Sequence, residues 1–499
     1  MYKLAVSMAV ILLSSSIALN QDYNQYTAAI HLDSKVGGGD YSLAEMGEVS
    51  FKEGVDIAIV TDHDNALVEI GIYPFQKILK KSISRPSIKE FGAVNYYRTI
   101  EAVNRKYKDL LFLAGSEASA FYYWEGSPFK AALNYLRRGS VGDLSLVNIH
   151  KHMLVIGLRN PEDVENLPSL ARGFEKDFSI SSKFLINVSP SFLLILGLLL
   201  LTGKRKKYVK FRGQRIMVKS TSHKFSGILL LLSGGFLMVL NFPYFPQQYN
   251  QYKGDPGIGP YQEVIDYVNE RGGMTFWAHP ESNFMATIEG IKVETPPYPE
   301  ALLEAQNYTG FAIFWEGMKY IGPPGGIWDR VLNEYCEGIR DRPVWAISEL
   351  DFEKTGESSN LRDILTVLLM KKKSANAVYD AMAKGRMYAA RNFFADKLRI
   401  EDFFLTDNLK RAVVGEILTT NRKYYLLIRL KSIDGVSRNM SLQVIKNGKV
   451  THIYPFRRDF EIFLEHRPPE KERKDYFRLM IMENRWPVFA TNPIFVQGG

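Results

Sequence analysis

The segment Thr61-Asp62-His63-Asp64 closes a short apolar, β-branched run, Ile57-Ala58-Ile59-Val60, with acid, imidazole and acid. Ionisable side chains at the end of a buried strand are costly unless they pair with one another or with a cation. The same arrangement recurs along the chain. Ala28-Ala29-Ile30 leads into His31-Leu32-Asp33, and Leu110-Leu111-Phe112-Leu113-Ala114-Gly115-Ser116 leads into Glu117. The apolar run 148–157 carries His150 and His152, which are two apart and so share one side of a strand. Met274-Thr275-Phe276-Trp277-Ala278 ends in His279, the run 311–315 in Glu316, and the run 344–348 in Glu349, Asp351 and Glu353. In α/β sheets and barrels, sites are built at the carboxyl ends of the strands. We therefore read these tips as one floor of nitrogen and oxygen donors, a set that favours Zn, Mn or Fe over calcium.

The elements between the tips fit that reading. Ser42 can cap a helix over 43–52, with Glu45 completing a capping box, and Gly54 stops it before the next strand. Strand, helix, strand at such short spacing is a parallel β/α unit. Helical patterns recur at 95–107 and at 261–271, the latter ended by Gly272-Gly273. The aromatic stretch Phe121-Tyr122-Tyr123-Trp124 reads as packing rather than as a ligand platform. From about 398 the pattern changes to short strands, with an Asn447-Gly448 hairpin turn of the I′ kind. That region is expected to form a β-sandwich of about 100 residues, without a catalytic constellation.

Charge and hydropathy add a membrane expectation. Of the 63 Lys and Arg, nine fall within 204–224, where there is no acid, and the remaining 54 balance the 54 Asp and Glu. The net charge of +9 is thus local and does not indicate a nucleic-acid partner. The segments 184–203 and 225–244 carry no charge, and each approaches the roughly 20 apolar residues that span a bilayer. Both are expected to be helical, with the basic loop kept in the cytoplasm and the rest of the chain on the other face. Lys3, an apolar run from Leu4 to Leu19 and a polar exit at Asn20-Gln21-Asp22 have the layout of a secretory signal or an uncleaved anchor. The single cysteine, Cys336, fits export without a disulfide framework.

The tip motifs resemble those of the PHP (polymerase and histidinol phosphatase) superfamily. His31-Leu32-Asp33-Ser34 resembles its first His-x-His motif, Thr61-Asp62-His63-Asp64 its second, and Ala278-His279-Pro280 its Ala-His-Pro motif. Glu117 after Ala114-Gly115 is similar to the family's Gly-x-Glu acid, and His152 to the histidine that follows it. Asp351-Phe352-Glu353 stands where the family has Asp-x-His, and 373–390, with Gly385-Arg386-Met387-Tyr388, resembles the closing segment of its carbaryl-hydrolase-like branch. Asp33 and Glu353 replace histidines, which moves the donor set toward harder metals, and Gly37-Gly38-Gly39 replaces a Ser-Asp-Gly turn, with Asp40 as a stand-in.

The resemblance implies a distorted (β/α)7-type barrel binding one to three divalent ions (Mn, Zn or Fe). The implied ligands are His31, Asp33, His63, Glu117, His152, His279, Asp351 and Glu353. Asp62 or Asp64 would orient His63, which with Asp62 and a phosphate-binding Arg386 makes the expected catalytic set. The expected organisation is a signal or anchor at 1–20, barrel at 21–182, a transmembrane hairpin at 183–244 with its basic loop at 204–224, barrel again at 245–397, and the β-sandwich at 398–499. The expected activity is an exported, membrane-anchored metal-dependent hydrolase of a small phosphate ester. Two alternatives stand beside it: an amide or carbamate ester hydrolase, and an envelope binding module that has lost its metals.

Overall fold

A computed structural model describes residues 23–71, 76, 78–139, 142, 144–172, 174, 182–203, 205–220, 223–242, 244, 248–288, 290–353 and 360–499. The expected signal segment at 1–20 lies outside these. The fold is mixed α/β, with one large sheet and a strand-rich C-terminal region. The tip-bearing strands are β1 (Asn24–Leu32), β2 (Ile57–Val60), β3 (Leu111–Ala118), β4 (Met153–Ile156), β5 (Met274–Trp277), β6 (Gly310–Phe314) and β7 (Trp345–Ser348). They lie side by side in that order, all parallel except β4, which is antiparallel to both neighbours. The chain after β7 then returns to β1: Leu350 N–H donates to Ile30 O at 2.9 Å, and Phe352 N–H to His31 O at 3.0 Å. The two ends of the strand series are thereby joined at the tip level. Strands of four or five wholly buried residues such as Ile57-Ala58-Ile59-Val60 form because apolar groups cover both faces.

The local signals are realised. The helix Leu43–Lys52 begins at a Ser42/Glu45 capping box. Gly37 and Gly39 lie in a turn too tight for a side chain. A Cβ on Gly39 would stand 2.1 Å from Asp33 O, and one on Gly37 2.7 Å from Asp62 Oδ1. At the other edge, β1 pairs with β8 (Leu365–Met370), which pairs with β9 (Met387–Ala390), and β9 continues the sheet into Trp486–Thr491. The C-terminal strands form two layers: Arg411–Val413, Leu398–Thr406, Tyr424–Ser432 and Phe460–His466 face the extension of the large sheet across a shared apolar core. Val367, Tyr388 and Ala390 reach into that core from β8 and β9. The hairpin Met440–Lys446/Lys449–Phe456 turns at Asn447 and Gly448, both with positive φ (49° and 80°), as a I′ turn needs.

Between β4 and β5 the chain forms Ser182–Val188 and Ser191–Thr202, then the basic hairpin Arg205–Phe211/Gln214–Ser220, then the helix Lys224–Leu240. The stretch Phe184–Thr202 is long and apolar enough to cross a membrane, whereas Lys224–Leu240 is apolar but shorter, stopping ahead of Asn241 and Pro243. The two pack closely at small residues: a Cβ on Gly197 would lie 2.9 Å from Gly227 O.

One contact ties the strand-rich region to the site-bearing one. Arg478, on Lys474–Glu483, donates from Nε and Nη2 to Asp329 Oδ1 and Oδ2 at 2.7 and 2.6 Å, and Tyr476 OH adds 2.8 Å to Oδ1. Asp329 belongs to the helix Ile327–Cys336, and both ends of the pair are buried. Removing one partner leaves the other charge buried. Asp329→Ala is therefore expected to cost about 3–5 kcal/mol in denaturant unfolding. A change below about 1 kcal/mol, the range of an exposed pair, would show that this junction bears no weight.

Candidate metal centre

Glu117, at the end of β3, sits among four imidazoles. Its Oε1 lies 2.6 Å from His152 Nδ1 and 3.3 Å from both His31 Nε2 and His279 Nε2, and its Oε2 lies 3.0 Å from His63 Nδ1. His31 Nε2 also stands 3.8 Å from Asp33 Oδ2 and 3.6 Å from Asp351 Oδ1. Two groups of donors are compact enough to hold a cation, His63/Glu117/His152 and His31/Asp33/Glu117, and Glu117 belongs to both. Tips from β1, β2, β3 and β5, the turn before β4 and the segment after β7 thus meet at one rim. β4 contributes from its start rather than its end. Being antiparallel, it places Met153 level with Ala118 and Trp277, so His152 arrives at the rim just before the strand.

The second ring nitrogens are anchored. His31 Nδ1 meets Glu349 Oε2 at 3.0 Å, His152 Nε2 meets Ile149 O at 2.7 Å, and His279 Nδ1 meets Tyr298 OH at 3.4 Å. Glu349 also accepts from the backbone N–H of His279 at 2.5 Å, so one buried carboxylate holds the His31 ring and the His279 main chain. Meanwhile His31 Nε2, His63 Nδ1 and His152 Nδ1 are buried and face only carboxylate oxygens, Glu117 above all, and Asp33 Oδ1 is buried without a hydrogen-bond partner. Buried imidazoles turned on one shared carboxylate, three of them held from behind by outer partners, form the arrangement a divalent cation completes. Nitrogen and carboxylate donors suit Zn, Mn or Fe. His31, His279 and Asp351 hold positive φ (69°, 29° and 50°), a conformation that costs about 1–3 kcal/mol per residue and gathers at functional sites.

Several expected residues take other places. Asp62 does not face the cluster. It accepts from Ser34 N–H and Oγ at 2.7 and 2.9 Å and from Gly37 N–H at 2.7 Å, fixing the loop that carries Asp33. Asp64 is buried and accepts from Ser119 N–H at 3.1 Å, which ties the β2 and β3 tips together. Glu353 is exposed, and its carbonyl accepts from Asp40 N–H at 2.9 Å; it is in neither donor group among the described residues. Arg386 is at the wrong end of the sheet. It pairs with Asp380 and with Tyr23 OH, just before β1 begins. That is eight strand positions from His31, on the order of 25 Å. Glu349 and Tyr298 are the residues the motif reading missed. Glu349 had one signal, being the first acid after the strand.

Electrostatics follow the geometry. Burial pushes Glu117 up, but His152, His31 and His63 outweigh it and hold the carboxyl well below the usual range. Burial lowers His63 and His279, yet Glu117 and the neighbouring acids raise them to about 10 and about 9. His31 is likewise raised against its burial. Burial raises Asp33, and it lifts Asp62 to about 6 despite the donors from Ser34 and Gly37.

No protein-family model matches the sequence, and no curated protein does. Among solved structures, the chain is similar to a two-domain protein of Bacteroides vulgatus containing a PHP-like metal-dependent phosphoesterase, with 9% identity over 95% of this chain and 96% of that one, TM-score 0.35. It is similar to a protein of Bifidobacterium adolescentis assigned as a metal-dependent phosphoesterase, with 13% identity over 71% and 95%, TM-score 0.28. An amidohydrolase of Chromobacterium violaceum gives 14% identity over 66% and 88%, TM-score 0.27. None of these three bears the name of the carbaryl-hydrolase-like branch. At such scores the likenesses carry no argument about activity; the cluster's own geometry does.

The charge pattern sets how the metal-free protein responds to pH. A histidine raised on folding contributes stability fully present below its ordinary 6.5 and lost as pH climbs through its folded value. A depressed carboxyl contributes above its ordinary 4.5. The metal-free chain should therefore lose stability from about pH 6.5 toward pH 10, as His279 and then His63 lose their protons at about 9 and about 10. Saturation with a divalent ion should flatten that fall. A metal-free profile level from pH 6 to 10 would contradict the charge pattern. Glu349→Ala, which removes an outer partner of His31, should weaken metal affinity about 10- to 100-fold with the fold kept, read by competition with a chelator.

Proposed function

We propose that the chain is a metal-dependent hydrolase of the PHP type, acting first of all on phosphate esters. The observation that carries this reading is the sharing of Glu117 between two groups of buried donor atoms that converge on it. Divalent cations held there would supply Lewis acidity, activating water as a nucleophile and offsetting charge on a phosphoryl oxygen. His31, Asp33, His63, Glu117, His152, His279 and Asp351 would hold them. Glu349 and Tyr298 fix imidazole orientation. The side chains of His63 and Asp351, 23% and 41% exposed, form the open edge of an otherwise buried set, so a substrate enters over them. Asp351 is the carboxylate placed to take up or return a proton at that edge.

In this reading the joined strand series β1–β7 is a distorted barrel, and the C-terminal layers form a β-sandwich packed on it. Phe184–Thr202 and Lys224–Leu240 anchor the chain in a bilayer, with the basic hairpin Arg205–Phe211/Gln214–Ser220 on the cytoplasmic side and the barrel outside. Glycines at the helix contact fit that setting, where close backbone approach drives association.

The test uses the full chain purified in detergent. About two divalent ions per chain are expected, as in carboxylate-bridged two-metal sites, with chelator-sensitive hydrolysis of bis(p-nitrophenyl) phosphate. Glu117→Gln should lower both metal content and turnover by more than about 100-fold, beyond the loss of an outer partner. A chain that stays metal-free in excess Mn, Zn and Fe would be the binding module instead. Stoichiometric metal with turnover of carbamate but not phosphate esters would move the activity to the other hydrolase class.

A further inference from the structure

The foot of the apolar hairpin is tied to the rim that carries the metal centre. After β4 the chain comes back to that rim, where Leu170 N–H donates to Ala120 O at 2.9 Å. Phe174 packs edge-on to Tyr249 with ring centroids 4.9 Å apart, and Tyr249 packs on Phe121 at 6.2 Å. Trp124 N–H donates to Gln251 O at 2.8 Å. Phe121 lies four positions past Glu117. The hairpin is closed at its foot by Asn241 Nδ2 donating to Asn187 O and Asn187 Nδ2 donating to Tyr244 O, both at 2.9 Å. The five residue steps from Tyr244 to Tyr249 reach at most about 18 Å. The apolar helices therefore leave from beside the mouth, not from the far end where Arg386 and Tyr23 meet.

The rim also carries an exposed apolar face. The helix Pro128–Arg138, which follows the β3 tip through the short strand Tyr123–Glu125, presents Phe129 and Leu136, 48% and 82% exposed. Seven positions apart, they share one face, and Lys130 and Arg137, each one position further on, line one side of it. A helix whose outward apolar stripe is edged by Lys and Arg suits a headgroup layer. Met285, on Phe284–Ile288 just past His279, and Trp315, just past β6, add exposures of 66% and 55% at the same end.

We infer that the mouth of the metal centre faces the bilayer, and that its substrate is a phosphate ester carried by a membrane lipid. This rests on the hydrolase and anchoring readings above. The hairpin fixes the rim toward the membrane, the 128–138 helix and the Met285 and Trp315 tips seat it in the interface, and the open edge at His63 and Asp351 meets headgroups rather than bulk water.

Two measurements test this on the full chain in nanodiscs. In the first, Cys336→Ser carries one fluorophore, placed through Leu136→Cys or Leu409→Cys. Leu409 is exposed in the turn between the paired strands Leu398–Thr406 and Arg411–Val413, and Val413 N–H donates to the Glu416 carboxylate that Tyr23 OH also reaches. Brominated phospholipids should quench the label at 136 at least threefold more than that at 409. Equal quenching, or the reverse, overturns the orientation whether or not the chain hydrolyses anything. In the second, metal-loaded chain receives either water-soluble p-nitrophenyl phosphate or phosphatidic acid in phosphatidylcholine vesicles. The vesicle-borne ester should give a kcat/KM at least tenfold higher, and the double variant F129E/L136E should lose that advantage while keeping turnover of the soluble ester. Equal turnover of both, unmoved by the variant, overturns the lipid substrate and leaves the hydrolase standing. No turnover of either, with the quenching pattern intact, overturns the hydrolase reading and the substrate with it, and leaves the orientation.

Discussion

The fold turns on a single electrostatic constraint: a carboxylate, Glu117, is wholly enclosed at the end of a buried strand. Taking a carboxylate out of water costs several kcal/mol even after relaxation, and the charge survives only if opposite charge or donors surround it. Four imidazoles drawn from different tips do so here. Three of these imidazoles, His31, His152 and His279, are in turn buried and each has its own outer partner, which brings Glu349, the carbonyl of Ile149 and Tyr298 into the same network. The strand order brings the tips together, and the enclosed charge makes their exact facing matter. Cations at the centre would relieve the imidazole nitrogens of the need to hold protons.

That constraint also explains where the backbone is strained. His31, His279 and Asp351 take left-handed conformations, which regular strands do not supply. At each, the chain must leave its strand and aim a side chain inward within one residue. The Gly37-Gly38-Gly39 turn does related work for Asp33, since only a chain without Cβ atoms can lie against Asp33 O and Asp62 Oδ1. Asp62 is consumed in holding that turn. The carboxylate beside His63 in the sequence is thus an architectural part of the turn.

Much of this was legible in the sequence because it is local. Apolar runs ending in ionisable groups identify strand tips, Ser42 with Glu45 identifies a helix start, and Asn447-Gly448 identifies a hairpin. What could not be read is which way a side chain turns once outside its strand. Of the three acids after β7, Glu349 backs the His31 ring, Asp351 edges the centre and Glu353 faces solvent. That division is set by the pairing of Phe352 with Leu32, a tertiary contact with no local signature. Arg386 failed as a phosphate ligand for the same reason: its neighbours in sequence resemble a site motif, but its partner Asp380 and the start of β1 hold it at the opposite end. The buried Arg478–Asp329 pair was equally invisible, since its members are 149 positions apart.

The reversed direction of β4 connects the chemistry to the membrane segment. A parallel strand would have delivered His152 from its end and sent the chain outward from the rim. Because β4 enters at the rim, the 148–152 turn is clamped there. The Lys151 ammonium lies 4.5 Å from the Tyr261 ring, 5.5 Å from Tyr298 and 5.9 Å from Trp277, so a buried cation is offset by aromatic faces. The chain then exits at the far end and must climb back over the outside before β5 can begin. On that return path it passes Ala120 and Phe121, where the apolar hairpin is inserted. An insertion at the far end would have left the rim free of the helices. The topology that supplies a histidine from the wrong end of a strand is therefore also what brings the apolar helices to the side where the donors converge.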